Sequence, residues 1–130
     1  MIDIEYDVYS AVKNGLPSSI NCKQYYQKSE RQFPLVTVEE INNAEYEDGI
    51  DSSCDENFVT VGYEVNIYTN TGNKKSECKT LAKSVDSIMR GIGFTRIYSS
   101  PIPNQDDSTI FRIVCRYNAV VDKNKQIYRR

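Results

Sequence analysis

The chain has 130 residues, 39% hydrophobic and 26% charged, with a formal net charge of −2 and no histidine. That length fits a single domain over residues 1–130, able to bury a core without disulfides or metal, and the missing histidine excludes the usual nucleophile triads and neutral-pH proton shuttles. No apolar run approaches the ~20 residues of a membrane span, and the acidic opening MIDIEYD does not read as a signal peptide, so a cytosolic protein without membrane contact is expected.

In IEYDVYSAVKNGLP, residues Ile4, Val8, Ala11, Val12 and Leu16 fall on one helical stripe, with Asp3 as N-cap and Gly15 and Pro17 as stop signals. INCKQYY, residues 20–26, reads as a weak strand, and Pro34 introduces the strand LVTVEEI with Val36 and Val38 facing the core. Residues 42–57 read as an acidic polar loop. FVTVGYEVNIYTN, residues 58–70, alternates strictly: Val59, Val61, Tyr63, Val65 and Ile67 share one face and Thr60, Gly62, Glu64 and Asn66 the other. Extended, such a segment spans about 43 Å, against a radius of gyration of roughly 14 Å for a chain of this size, so one end is expected to protrude.

After the turn at residues 70–72 comes the most regular pattern of the chain, Cys78, Leu81, Ala82, Val85, Ile88, Met89 and Ile92 at spacings of three and four, a helix over 74–90 ended by Gly91 and Gly93. FTRIYSSPI starts another extended piece. STIFRIVCRYNAVVD, residues 108–122, repeats the long alternation, with Phe111, Ile113, Cys115, Tyr117, Ala119 and Val121 inward and Arg112, Arg116 and Asn118 outward. From about residue 123 the chain reads as a short C-terminal arm ending in Tyr128, Arg129 and Arg130. The order implies an α+β domain: a mostly antiparallel sheet of four to five strands, two helices packed on one face, and a long protruding β-hairpin.

The charges are divided unevenly. Residues 1–60 carry twelve acids and four bases, and residues 61–130 six acids and twelve bases. No base lies between Arg31 and Lys74, where Glu45, Glu47, Asp48 and Asp51 cluster. The split suits head-to-tail pairing, an acidic face of one copy meeting a basic face of the next. Its alternative is neighbouring surfaces of one molecule.

Little points to catalysis. Phosphate-cradling glycine patterns are missing, GNKKS being too short to wrap a triphosphate. Cys22, Cys54, Cys78 and Cys115 are too scattered for a zinc site and read as free thiols. Glu39 and Glu40 point to opposite faces of a strand. Placing Gly49 at the sixth position of a calcium loop puts Ala44 and Tyr46 where ligands belong, which argues against an EF-hand. No cofactor and no metal are expected. Lys75, Lys79 and Lys83 form a basic stripe, either the wet face of the helix or a nucleic-acid contact.

The runs FPLVTVEE, YEVNIYTN with the lysine-led helix ending GIGFTR, PIPN, TIFRIVCRY and the closing IYRR resemble the tail-completion proteins of long-tailed bacteriophages, the tail terminator group. The resemblance covers nearly the whole chain and is weakest over residues 42–57. It implies a small α+β domain that forms a ring, usually of about six copies, on the head-proximal end of the tail tube. The ring ends tube polymerisation and offers a surface to the neck or head connector, with DNA only as passing cargo. On this expectation Arg112 and Arg116 are outward basic contacts, Tyr128, Arg129 and Arg130 an arm, and Glu45, Glu47, Asp48 and Asp51 the acidic counterpart, part of residues 39–56 facing the channel or the adjacent subunit. A head-completion or neck protein is the alternative within this class. A DNA-binding accessory protein using the lysine stripe with Arg112 and Arg116 is the alternative from another, ahead of a small enzyme built on tyrosine, cysteine and carboxylates.

Overall fold

We describe residues 1–25, 32–45, 58–102 and 109–128 of a computed structural model. The first helix, α1 (Glu5–Gly15), buries Val8 and Val12, with Ile4 and Leu16 extending the stripe by one turn at each end. Ile4, not Asp3, occupies the cap position. Asp3 still contributes from one residue further out, its carboxylate accepting the Glu5 N–H at 3.0 Å, which satisfies a first-turn donor.

Strand β1 (Asn21–Lys23) is shorter than the predicted 20–26 and runs parallel to β2 (Leu35–Glu45). β2 continues into Asn42–Glu45, which the sequence assigned to a loop: these polar residues pair with Val59–Gly62 of β3 (Phe58–Thr69). A bulge between Glu40 and Asn42 makes this possible. It shifts the alternation by one, and the Asn43 side-chain amide then donates to the Ile2 carbonyl at 2.8 Å.

β3 is paired along its whole length. Every residue from Phe58 to Thr69 pairs with β5 (Phe111–Asp122), and Val59–Tyr68 also pair with β2. A radius of gyration measures mean spread, whereas a two-layer domain is as long as its central strands, so the length of Phe58–Thr69 by itself does not require a protrusion. Residues 46–57, where the tip of the expected hairpin falls, lie outside the described residues.

Helix α2 (Lys74–Ile92) buries Cys78, Leu81, Val85 and Met89. Gly91 remains inside it, and Gly93 ends it at φ 112°. Gly93 N–H donates to the Arg90 carbonyl at 3.1 Å and Phe94 N–H to the Met89 carbonyl at 3.0 Å, the bond pair of a Schellman cap. Phe94 is thereby turned into the core, its ring edge-on to Tyr63 at 5.3 Å. Strand β4 (Thr95–Pro101) pairs antiparallel with β5. The expected arm is partly a strand: β6 (Ile127–Tyr128) pairs with Val120 and Val121 of β5.

Among the described residues six strands form one sheet, ordered β1-β2-β3-β5-β4 with β6 also on β5. It is mixed, because β1 is parallel, and it has more strands than the predicted four to five. Both helices share one core cluster with the odd-numbered residues of β3 and β5 and with Val36 and Val38, which gives an α+β domain of two layers. The inward face of β3 is fully dry, Val59 through Ile67 at alternate positions being 0% exposed. No helix among the described residues is long and apolar enough to cross a membrane.

Candidate interaction surface

The sheet face opposite the helices carries the two arginines that the sequence placed outward. Arg112 directs its guanidinium onto Asn66 Oδ1 at 3.0 and 2.7 Å, and Arg116 lies 3.5 Å from Glu64. Asn66 in turn donates to Glu64 at 3.1 Å, and Arg112 is 3.9 Å from the same carboxylate. Each guanidinium covers a ring, Arg112 that of Tyr68 and Arg116 that of Tyr98, at 5.6 and 5.4 Å. The register explains the cluster, since Glu64 lies directly opposite Arg116 and Asn66 opposite Val114, leaving both arginines within diagonal reach. These arginines are thus engaged inside the molecule. Beyond them this face closes over a small cluster of Leu35, Tyr68 and Ile110.

Two buried phenols connect the core to the two sides of the sheet. Tyr63 and Tyr117 stand opposite one another in β3 and β5. Their hydroxyls donate in opposite directions, Tyr63 to Glu40 Oε1 at 3.0 Å and Tyr117 to Asp86 Oδ1 at 3.1 Å. Burial, chiefly, pushes both phenols above their ordinary range. Asp86 is also held by Arg90 at 3.1 Å and Arg96 at 3.0 Å, so it is a structural pin between α2 and β4.

Burial raises Glu40 above the usual carboxylate value despite hydrogen bonds from Tyr63 and Asn43, and Glu5 and Asp3 add repulsion. A folded-state pKa above the unfolded one means the native protein holds more protons just above pH 4.5, so this group makes stability fall as pH rises through that window. Glu40→Gln is expected to remove that part of the slope while keeping an acceptor for Tyr63. Urea midpoints of the two proteins compared across the window would reveal it, and parallel pH profiles would count against the assignment.

The sheet ends in two unlike edges. On one side, among the described residues, β1 covers β2 only over Leu35–Thr37. The rest of β2 is flanked by carboxylates, Glu5 Oε2 accepting the Glu40 N–H at 2.9 Å, with Asp3, Glu39 and exposed Glu45 nearby in the chain. On the other side β4 is the edge, and four consecutive residues from Arg96 to Ser99 are exposed. Between β4 and α2 runs an open groove of about 540 Å³, lined by Lys79, Lys83, Arg96 and Ser99 over a floor that includes Ile113 and Cys115. Both exposed isoleucines of the sheet, Ile41 at 50% and Ile97 at 56%, sit at bulges, one in β2 and one in β4. The extra residue of a bulge leaves the alternation and loses its place on the buried face.

Glu45 is exposed at the end of β2, far from the arginine cluster. Tyr128 lies in β6, its hydroxyl donating to Asp122 at 2.9 Å and its ring 6.2 Å from Phe58. Glu47, Asp48, Asp51, Arg129 and Arg130 lie outside the described residues, as does Cys54. Cys22, Cys78 and Cys115 are free and buried, and burial raises the first two thiols to about 11, which suits small core residues. No group of three or more potential metal ligands occurs among the described residues. Sequence reasoning missed Glu64, Asn66, Asp86 and Arg96. Glu64 could have been found, since it is the sole acid on the outward face of its strand. Asp86 and Arg96 come together only through the packing of α2 on β4. No family model matches the chain, and no curated protein matches it.

Proposed function

We propose that this protein is a structural subunit of a phage-type tail, a tail terminator that caps the head-proximal end of the tail tube as a ring of about six copies, ends tube polymerisation and presents a surface to the neck or head. The observation that carries the reading is the pair of unlike sheet edges, one acidic and one basic, on a domain whose chain resembles that family. Two different complementary patches make a head-to-tail contact, and such contacts close into rings when the rotation permits. In this reading the tip of the β2–β3 hairpin extends towards the neighbouring copy, and Tyr128, Arg129 and Arg130 contact the neighbour or the tube. The protein acts without turnover and without a cofactor, its partners being its own copies, the tube protein and a neck or head connector. The virion is its final location.

A head-completion or neck ring would use the same edges one level higher. A DNA-binding accessory role is favoured by a different observation, that Lys75, Lys79 and Lys83 are exposed; duplex binding that weakens steeply with salt would support it. Native mass measurement of the purified protein, alone and with tube protein, tests the ring. A closed oligomer under either condition is expected. A monomer in both, at concentrations up to ~1 mM where even weak contacts register, would rule the ring out.

A further inference from the structure

The groove between α2 and β4 has a chemistry of its own. Lys79 and Lys83 are exposed on its wall and form no ion pair with any other described residue. Asp86, the one acid among its described lining residues, is committed to Arg90 and Arg96. Its other wall is β4, which among the described residues is an edge strand, with Arg96–Ser99 exposed, and an edge strand is a template for pairing. An extended peptide can add to such an edge by ladder bonds, with the side chains on its helix side turned towards the wall that carries Lys79 and Lys83, where carboxylates would be favoured.

We infer that this groove receives the acidic stretch of a second copy of the chain, laid along β4 with its carboxylates on Lys79 and Lys83. The inference deepens the ring reading and rests on it. The chain carries six acids from Glu45 to Glu56 and no base in that span, which matches the groove in sign. The same molecule does not supply the contact through Glu45. Glu45 pairs with Val59 and Val59 with Val121, whereas the groove lies at Ile113 and Cys115. Cys115 to Val121 is about 20 Å along the strand, and β2 to β4 is three strand spacings, about 14 Å. Glu45 and the groove therefore sit on opposite corners of one domain, an arrangement that suits a head-to-tail contact.

The test titrates a fluorescein-labelled peptide of residues 39–56, carrying Cys54→Ser, with the full-length protein and follows anisotropy. Saturable binding is expected, weakened at least about tenfold by Lys79→Glu with Lys83→Glu and by N-methylation of alternate peptide amides. Both lysines are exposed, so circular dichroism should show the double variant folded. No saturation by ~1 mM protein, equal binding of a composition-matched scrambled peptide, or displacement of the peptide by duplex DNA at stoichiometric amounts would each overturn the assignment. Native mass is measured on the same protein, alone and with tube protein. Rings without peptide binding would defeat this groove assignment and leave the ring standing; peptide binding with a monomer under both conditions would support the groove and defeat the ring.

Discussion

Phe94→Ala is expected to cost about 3–5 kcal/mol of folding stability, the range for deleting a fully buried aromatic ring. Phe94 is 0% exposed and meets Tyr63 edge-on at an interplanar angle of 84°. Tyr63 is the largest fully buried side chain of the central strand and is itself fixed by its hydrogen bond to Glu40. Truncation therefore leaves a cavity against a ring that cannot swing in to fill it. The aromatic pair's own geometry adds about 0.5–1.5 kcal/mol to what area alone would give. Set against a typical total of about 5–15 kcal/mol, the loss should shift the urea midpoint far enough to be seen in the far-ultraviolet dichroism signal. A change below ~1 kcal/mol, the scale of an ordinary surface substitution, would show that the ring does not hold the helix end to the sheet.

Gly93→Val should be comparably damaging for a different reason. Its φ of 112° is a conformation that β-branched residues avoid, and a Cβ built there would stand 2.9 Å from Ile127 Cγ2. The Schellman cap requires this backbone, so relieving the strain means giving up the bonds to Arg90 and Met89, while relieving the clash means displacing β6. A loss of about 2–4 kcal/mol follows from strain of roughly 1–3 kcal/mol plus a lost cap. Gly91 is the control, since a Cβ there meets nothing within 4 Å. Gly91→Ala should be neutral or stabilise by up to about 1 kcal/mol. Thermal melts of both variants would separate them, and equal melting temperatures would refute the distinction.

The alternation in residues 58–70 and 108–122 and the stripe from Cys78 to Ile92 were legible because a buried face leaves its period in the sequence. The strands' partners were not. Reading Asn42–Glu45 as loop failed because polarity was taken as the signal, while pairing with β3 and the phase shift at Ile41 decided the matter. Within the arm from residue 123 the strand was not legible, because β6 spans only Ile127 and Tyr128, too short to show a period. The proposed site residues divide in the same way. Arg112 and Arg116 face outward as the alternation implied, and Glu64 was legible as the one acid on its strand's outward face, but that Glu64 and Asn66 hold these arginines followed only from the β3–β5 register.

By itself the sequence determined the class of the fold, the inward faces of the two long strands and of the second helix, and the segregation of acid from base, since each of these is a property of residues close together in the chain. Only the tertiary structure decided that β3 lies at the centre of the sheet, that Glu40 and Asp86 receive the two buried phenols, and that acid and base occupy opposite edges. Those depend on register between segments distant in sequence, where a slip of one residue exchanges the two faces, and the energy that fixes the register arises only when the strands and helices are packed together.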